Sequence, residues 1–305
     1  VIMNKKLLIY FFATLSMLFW GLSFVWVKIV YLYYRPFTVV TIRLFLATFL
    51  LLLYQYLIKD KQKISIYDLP KFLLLAFFEP FCYFLGESFG MQYVSSTLAS
   101  IIIATIPVFS PIFSFLFYRE KLTKFGLLGL IISVLGIIIL VVDRNFNFNA
   151  PIKGILLLLF AVISAIGYGI VAKKLTFMYN SVTIIKYQNA FGFIYFLPFF
   201  IIFDLNHFLS IKPDLRLIVN ILALTIFASV LAFVLFTKVL KELGINSANI
   251  FTNLIPIFTA IFSFFILKEN FNLQKIIGIF LVIFGVFISQ VKLNKKELHK
   301  SKNKY

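Results

Sequence analysis

The sequence is poor in charge, and poorest in negative charge. Only 13% of its 305 residues are Asp, Glu, Lys or Arg, with 11 acidic against 29 basic side chains. Soluble domains carry roughly 25% charged residues, so this composition excludes an ordinary water-exposed surface. Cysteine occurs once, at Cys82 inside an apolar run, which excludes an intrachain disulfide and a thiolate metal cluster. Its expected role is that of a small buried apolar residue. The two histidines, His207 and His299, lie outside the apolar runs, and no HExxH pair is present to hold zinc. A phosphate-cradling GxxxxGK[ST] loop is also missing, which argues against direct ATP hydrolysis. Asp60, Asp68, Asp143, Asp204 and Asp214 all fall in loops or at run ends, so a paired intramembrane aspartyl centre has no support. The expectation is a protein that is not an enzyme and needs neither metal nor cofactor.

What is abundant is apolar. Hydrophobic residues make up 62%, aromatics 19% with 41 Phe, and the mean hydropathy is +1.02. The apolar residues come in long uninterrupted runs, unlike the roughly 10-residue alternating strands of an outer-membrane barrel. The net charge of +18 is not a nucleic-acid footprint, because Lys and Arg sit mainly in short turns and the tail, where they set membrane orientation.

Runs of at least about 18 apolar residues mark membrane-spanning helices. They fall near Leu7–Val27, Phe37–Leu57, Phe72–Met91, Leu98–Phe117 and Phe125–Val142. After the polar stretch DRNFNFNAPIK, five more follow near Gly154–Ala172, Val182–Phe203, Leu217–Val239, Ala248–Leu267 and Ile276–Val291. The apolar stretch after VIMNKK is too long for a secretory leader and lacks a small-residue cleavage pattern, so it is expected to be the first retained helix. The fourth and fifth runs align with the ninth and tenth at a constant offset of 149, pairing Pro107 with Pro256, Ser114 with Ser263, Glu120 with Glu269, Gly129 with Gly278 and Gly136 with Gly285. The first and sixth match more weakly at 145, pairing Lys28 with Lys173. Five helices per copy is odd, so the second copy must enter the membrane from the opposite side, an arrangement common in secondary transporters. The expected fold is therefore an all-α integral membrane protein of ten transmembrane helices in two inverted five-helix repeats, 7–142 and 153–291, with a basic cytoplasmic tail at 292–305. The excess of Lys and Arg in the first segment, alternate loops and tail predicts N-in and C-in.

The stretches WGLSFVWVK (20–28) and RLFLATFLLLL (43–53) resemble the first and second helices of EamA-type transporters of the drug/metabolite transporter superfamily. The doubled segment, LASIIIATIPVFSPIFSFLFYREKLTKFGLLGLIISVLGIIIL (98–140) and ANIFTNLIPIFTAIFSFFILKENFNLQKIIGIFLVIFGVFI (248–288), is similar to the most recognisable part of that repeat. The resemblance implies a central cavity between repeats, alternating access, and a substrate among amino acids, sugars, nucleotides or drug-like solutes. It departs from symmetry where Ala165 stands opposite Trp20, and where Ala228 and Phe236 stand opposite Glu79 and Glu87.

Ionisable residues at bilayer depth are costly and face a cavity or a partner. Glu79, Glu87 and Arg43 are therefore the first candidates for a substrate or a coupling proton, the alternative being helix-to-helix pairing with Arg43 or Lys186. On a continuous helix Glu79 and Glu87 lie about 80° apart, with Tyr83 between them. Trp20, Tyr83 and Tyr168 are candidate stacking or cation–π surfaces, and Asn249 and Asn253 candidate hydrogen-bonding residues. Pro107 and Pro256 are hinge candidates, since the repeat places them equivalently and proline frees a helical carbonyl. Glu120 and Glu269 are expected to cap or to form salt bridges at the membrane surface. The glycines of the fifth and tenth helices suit close helix approach, as scaffold or as the surface of a homodimer. A lipid flippase or a non-transporting scaffold shares the helix count, but a scaffold has no use for buried charges. Frequent Lys, Ile, Asn and Phe suggest an AT-rich genome, and a bacterial inner membrane is the expected location. Expected partners are a small-molecule substrate and the bilayer, with a coupling proton as a candidate and no nucleic acid.

Overall fold

The structure, a computed structural model, describes residues 2–59, 62–110, 124–141 and 151–289, and among these it is helical with no strand. Among the described residues seven helices are long and apolar enough to cross a membrane: α1 (Lys6–Val30), α2 (Pro36–Leu57), α3 (Ile66–Gly90), α6 (Ile152–Leu175), α7 (Ser181–Ser210), α8 (Leu215–Leu243) and α9 (Ser247–Leu267). Three shorter apolar helices complete the described set: α4 (Ser96–Ser110), α5 (Lys124–Leu140) and α10 (Leu273–Ile288). At 1.5 Å per residue the described parts of these three cover less than a core roughly 30 Å thick. The described part of α4 stops at Ser110, so Ser114, Glu120 and the rest of the expected fourth run lie outside the described residues, as does the tail at 292–305.

Short polar signals set the helix ends. Ser95 Oγ accepts from Leu98 N (3.2 Å) before α4, Asn180 Oδ1 from Thr183 N (2.8 Å) before α7, and Asp214 Oδ1 from Leu217 N (2.7 Å) before α8. Each satisfies an amide that the first helical turn leaves without a partner. Pro36 opens α2, where its missing N–H costs nothing.

The helices pack in antiparallel pairs. Along α2 and α7, Gln55 meets Thr183, Phe45 meets Phe193, and Phe37 meets Phe199 and Phe203, so rising numbers on one match falling numbers on the other. Helices α5 and α10 do the same with backbones in near contact. A Cβ on Gly285 would lie 2.6 Å from the Ser133 nitrogen and 2.7 Å from the Gly129 carbonyl oxygen, and one on Gly136 would lie 2.8 Å from the Val282 nitrogen and 3.0 Å from the Gly278 carbonyl oxygen. Lipid tails are as apolar as Leu, so packing rather than water exclusion joins helices here, and absent side chains allow the closest packing. These glycine faces are consumed within one chain, so they do not offer the homodimer surface considered from the sequence.

Polar ties at both ends follow the same crosswise pattern. Tyr33, after α1, donates to Asp214 Oδ2 (2.7 Å) at the start of α8, and Tyr179, after α6, donates to Asp68 Oδ2 (2.7 Å) at the start of α3. The Tyr33 hydroxyl holds the Asp214 carboxyl below its usual range. Lys28, near the end of α1, donates to the Met91 carbonyl just past α3, and Lys173, near the end of α6, donates to the Leu240 and Lys241 carbonyls (2.8 and 2.9 Å) near the end of α8. Ammonium groups there meet the negative ends of helix dipoles. Asp204 accepts from Thr38 N (3.0 Å) in the first turn of α2, so every described aspartate serves as a cap or a tie.

Glycine packing makes the α5–α10 seam intolerant of even one methyl group. Gly285→Ala is expected to lower stability in detergent by about 1–3 kcal/mol, the usual cost of overpacking. Gly169→Ala, whose Cβ would meet only Ile245 Cγ2 at 3.8 Å, should change it by no more than about 0.5 kcal/mol. Thermal unfolding of the two variants side by side checks this, and equal stabilities would refute the close-contact account.

Candidate functional site

Helix α3 is broken in mid-membrane. Proline lacks an amide hydrogen and disfavours the α conformation in the residue before it. Glu79, preceding Pro80, is accordingly extended at φ −145° and ψ 118°. The surrounding helices are shaped to this break. The Phe78 carbonyl accepts from Tyr83 N across the break and takes a second bond from Ser164 Oγ (2.6 Å). Gly167 faces the Phe78 ring, and Gly192 lies where a Cβ would come within 2.1 Å of Pro80 Cγ. The spacing of 80° between Glu79 and Glu87 assumed a continuous helix and does not hold; the break, not the helical period, sets where Glu79 lies.

Both carboxyls nevertheless border one cavity. It holds about 710 Å³ of empty space, part of it continuous with the outside, between α1, α2, α3, α4, α6, α8 and α9. Of the residues singled out in the sequence, Trp20, Arg43, Glu79, Tyr83, Glu87, Tyr168 and Asn249 line it, and Asn253 does not. Asn249 and Asn253 are four apart, which shares a face on an α-helix, but residues Phe251–Asn253 form a 3₁₀ turn. The tighter turn carries Asn253 into packed protein, where neither amide atom finds a hydrogen-bond partner.

The charges are arranged around Arg43. Its Nε donates to Ser229 Oγ (2.9 Å), and its guanidinium lies over the Phe84 ring with 4.5 Å to the centroid. Glu87 accepts from the Tyr83 hydroxyl (3.3 Å). Arg43 is within electrostatic reach of Glu87 and Glu79, but among the described residues neither carboxylate closes to ion-pairing distance with it. Lys186 takes no part in this group: its amine donates to Gln55 Oε1 (2.7 Å) and lies over the Tyr187 ring. With all three cavity charges present the site carries one net negative charge, and one bound proton or cation neutralises it.

An aromatic wall faces these charges. The Trp20 ring meets Phe233 and Phe236 edge-on at 5.0 Å each, and Tyr168 meets Phe233 at 6.2 Å. The Tyr168 hydroxyl sits beside Thr237 and Gln188 without meeting hydrogen-bond geometry to either. Pro107 and Pro256 stand just after irregular turns, Ala104–Thr105 in α4 and Phe251–Asn253 in α9. Next to the lining residue Phe24, Ser96 Oγ donates to the Phe24 carbonyl (3.1 Å), and Glu269 Oε1 accepts from Ser96 N (3.0 Å), the capping role expected of it.

Ser229, Phe84 and Phe233 were not singled out in the sequence. Ser229 stands 149 residues beyond Pro80, so the repeat offset was the one signal pointing to it. Phe84 carried no such mark among so many phenylalanines.

The arrangement predicts energetic coupling across the cavity. Arg43→Gln and Glu87→Gln are each expected to destabilise the protein, and the double variant to lose less than the sum, with a coupling of about 0.5–3 kcal/mol. Unfolding measurements in detergent complete the cycle, and additivity within about 0.3 kcal/mol would mean the two groups do not interact.

Comparison with known proteins gives the same picture. The two halves match the EamA-like transporter family at residues 7–142 and 152–290. An uncharacterized transporter of Archaeoglobus fulgidus is 29% identical over 274 residues, covering 90% of this chain and 95% of that one. The uncharacterized transporter YetK of Bacillus subtilis is 29% identical over 235 residues, covering 76% and 71%. A solved crystal structure, 12% identical, superposes with a TM-score of 0.67 over 92% of this chain and 96% of its own, a likeness of fold. Relatives named as transporters point away from an enzyme. With its membrane-crossing helices this is a multi-pass integral membrane protein, and the chain belongs to the EamA-like transporter family.

Proposed function

We propose that the chain is a secondary transporter that exports a small metabolite, amino acid or drug-like solute by alternating access. The observation that carries this reading is the cavity inside the helix bundle, where Arg43, Glu79 and Glu87 are held at a depth that charges otherwise avoid. A non-transporting scaffold has no need of them, and a lipid flippase would not need an aromatic cavity inside the bundle.

In this reading the shorter helices are also spans, and the chain crosses ten times as two inverted repeats, 7–142 and 153–291. Antiparallel pairing of α5 with α10 and of α2 with α7 supports it, because repeat-equivalent helices run antiparallel only when the two copies enter from opposite sides. With N-in and C-in orientation in a bacterial inner membrane, the tail at 292–305 is cytoplasmic. In that orientation the lining runs from Leu240, Asn249 and Thr252, near the cytoplasmic ends of α8 and α9, to Phe24, Arg43 and Glu87, nearer the outer ends of α1, α2 and α3. The Glu269–Ser96 contact lies on the outer side. In this scheme the solute enters from the cytoplasmic side and leaves on the outer side, which is export. Pro107 and Pro256, each beside an irregular turn, are the hinges about which α4 and α9 bend.

The carrier exchanges its solute against a proton in this scheme, and Glu87 is the proton's seat, since Tyr83 and Arg43 stabilise its charged form once the proton leaves. The test is flux of a labelled metabolite panel in proteoliposomes with and without an imposed pH gradient. Gradient-driven flux is expected for at least one solute and is expected to fall at least tenfold in Glu87→Gln. Undiminished gradient-driven flux in the variant would return Glu87 to a packing role, and no flux for any solute would refute the carrier reading.

A further inference from the structure

The two carboxyls of the cavity are not equivalent. Glu87 has the Tyr83 hydroxyl as a donor and lies beside Arg43, whose guanidinium is itself engaged by Ser229 and Phe84. Glu79 has none of this: among the described residues no donor hydrogen-bonds its carboxyl, although it is only 6% exposed. Close to it lies Tyr168, 3% exposed, and next to that Gln188, 1% exposed. The Tyr168 hydroxyl and the Gln188 side-chain oxygen are both buried without a hydrogen-bond partner.

The Glu79 carboxyl and Tyr168 therefore line one cavity with no hydrogen-bond partner for either polar group among the described residues, while Gln188 lies behind Tyr168 and outside the lining. Buried polar groups in folded proteins are nearly always satisfied, and exceptions call for a specific cause. An anion would be repelled by Glu79, and a neutral hydroxyl has a single hydrogen to offer. A primary ammonium brings three donors and a positive charge. The wall around this corner is aromatic, with Trp20, Phe233 and Phe236 meeting edge to face, a surface suited to a flat apolar body and to the edge of a cation.

We infer that the transported solute is an amine, its ammonium seated between Glu79 and the Tyr168 hydroxyl, with its apolar body against Trp20, Phe233 and Phe236. The inference rests on the carrier reading for its purpose, but it is a statement about binding and is tested as one. Glu79 then recognises substrate while Glu87 handles the proton, so the two carboxyls divide the work.

Trp20 and Trp26 are the only tryptophans in the chain, so Trp26→Phe leaves one fluorophore, in the cavity wall. This variant, purified in detergent, is titrated with phenethylamine and with N-acetylphenethylamine, which keeps the ring and removes the charge. Quenching of Trp20 by phenethylamine is expected at concentrations at least tenfold below those for the acetylated compound. Glu79→Gln is expected to weaken the amine at least tenfold and to leave the amide unchanged. Tyr168→Phe should weaken the amine about threefold to tenfold. Equal binding of the two ligands, a Glu79→Gln variant that keeps its preference for the amine, or binding of neither ligand would overturn the inference. Flux of some other solute in proteoliposomes would in each of these cases leave the carrier reading standing.

Discussion

Everything in this molecule depends on one constraint: at bilayer depth a backbone N–H or C=O must find its partner within the protein. The chain answers with helix wherever it can, and the departures from helix are informative because each needs a substitute. At Glu79 the regular α3 ladder is interrupted: the Phe78 carbonyl is met by the more distant Tyr83 N and by Ser164 from α6. Glycines on α6 and α7 then make room for the displaced Phe78 ring and for Pro80. Residues from the second half of the chain thus support an irregularity in the first, and the result is a carboxyl aimed into a cavity rather than along a helix face.

How much of this was legible in the sequence follows from what periodicity encodes. Run length and composition reveal helices that cross a membrane, because transfer into lipid depends on summed apolar content and not on contacts. The 149-residue offset exposed the kinship of α5 and α10, since glycines that meet across a seam must recur at matching positions. Helix rotation is a different matter. Nothing in a run of apolar residues says that Phe84, rather than a neighbouring phenylalanine, lies under the Arg43 guanidinium, or that Ser229 takes its Nε. Asn253 failed as a cavity residue for the same reason in reverse: a single 3₁₀ turn rotated it away from Asn249. Charged residues fared better, because a charge at bilayer depth has so few tolerable surroundings that naming it nearly names its environment. Arg43, Glu79 and Glu87 all line the cavity.

The cavity also explains why an approximate internal symmetry is kept in some places and abandoned in others. The framework retains it: lysines near the ends of α1 and α6 cap helix C-termini, and tyrosines following those helices hold aspartates of the opposite half. These contacts lie at the ends of the bundle, where both halves face the same task of joining helices in polar surroundings. The charged groups do not repeat. Arg43, Glu79 and Glu87 come from the first half alone, while the positions 149 residues beyond the two glutamates are Ala228 and Phe236.

That asymmetry has a physical logic. Four buried carboxyls around one cavity would repel one another and would need counter-ions that a membrane interior supplies only at high cost. Replacing one pair by Ala228 and Phe236 removes the repulsion and turns the vacated wall apolar. The second half then contributes what charge cannot, namely the small hydroxyl of Ser229 that fixes Arg43 and the rings of Phe233 and Phe236 against Trp20. A site with charge on one side and aromatic surface on the other discriminates by polarity along a single axis, so a solute must present both a polar head and an apolar body to satisfy it. Perfect symmetry would have erased that distinction, and its loss in the cavity while it persists at the bundle ends is what separates the site from its scaffold.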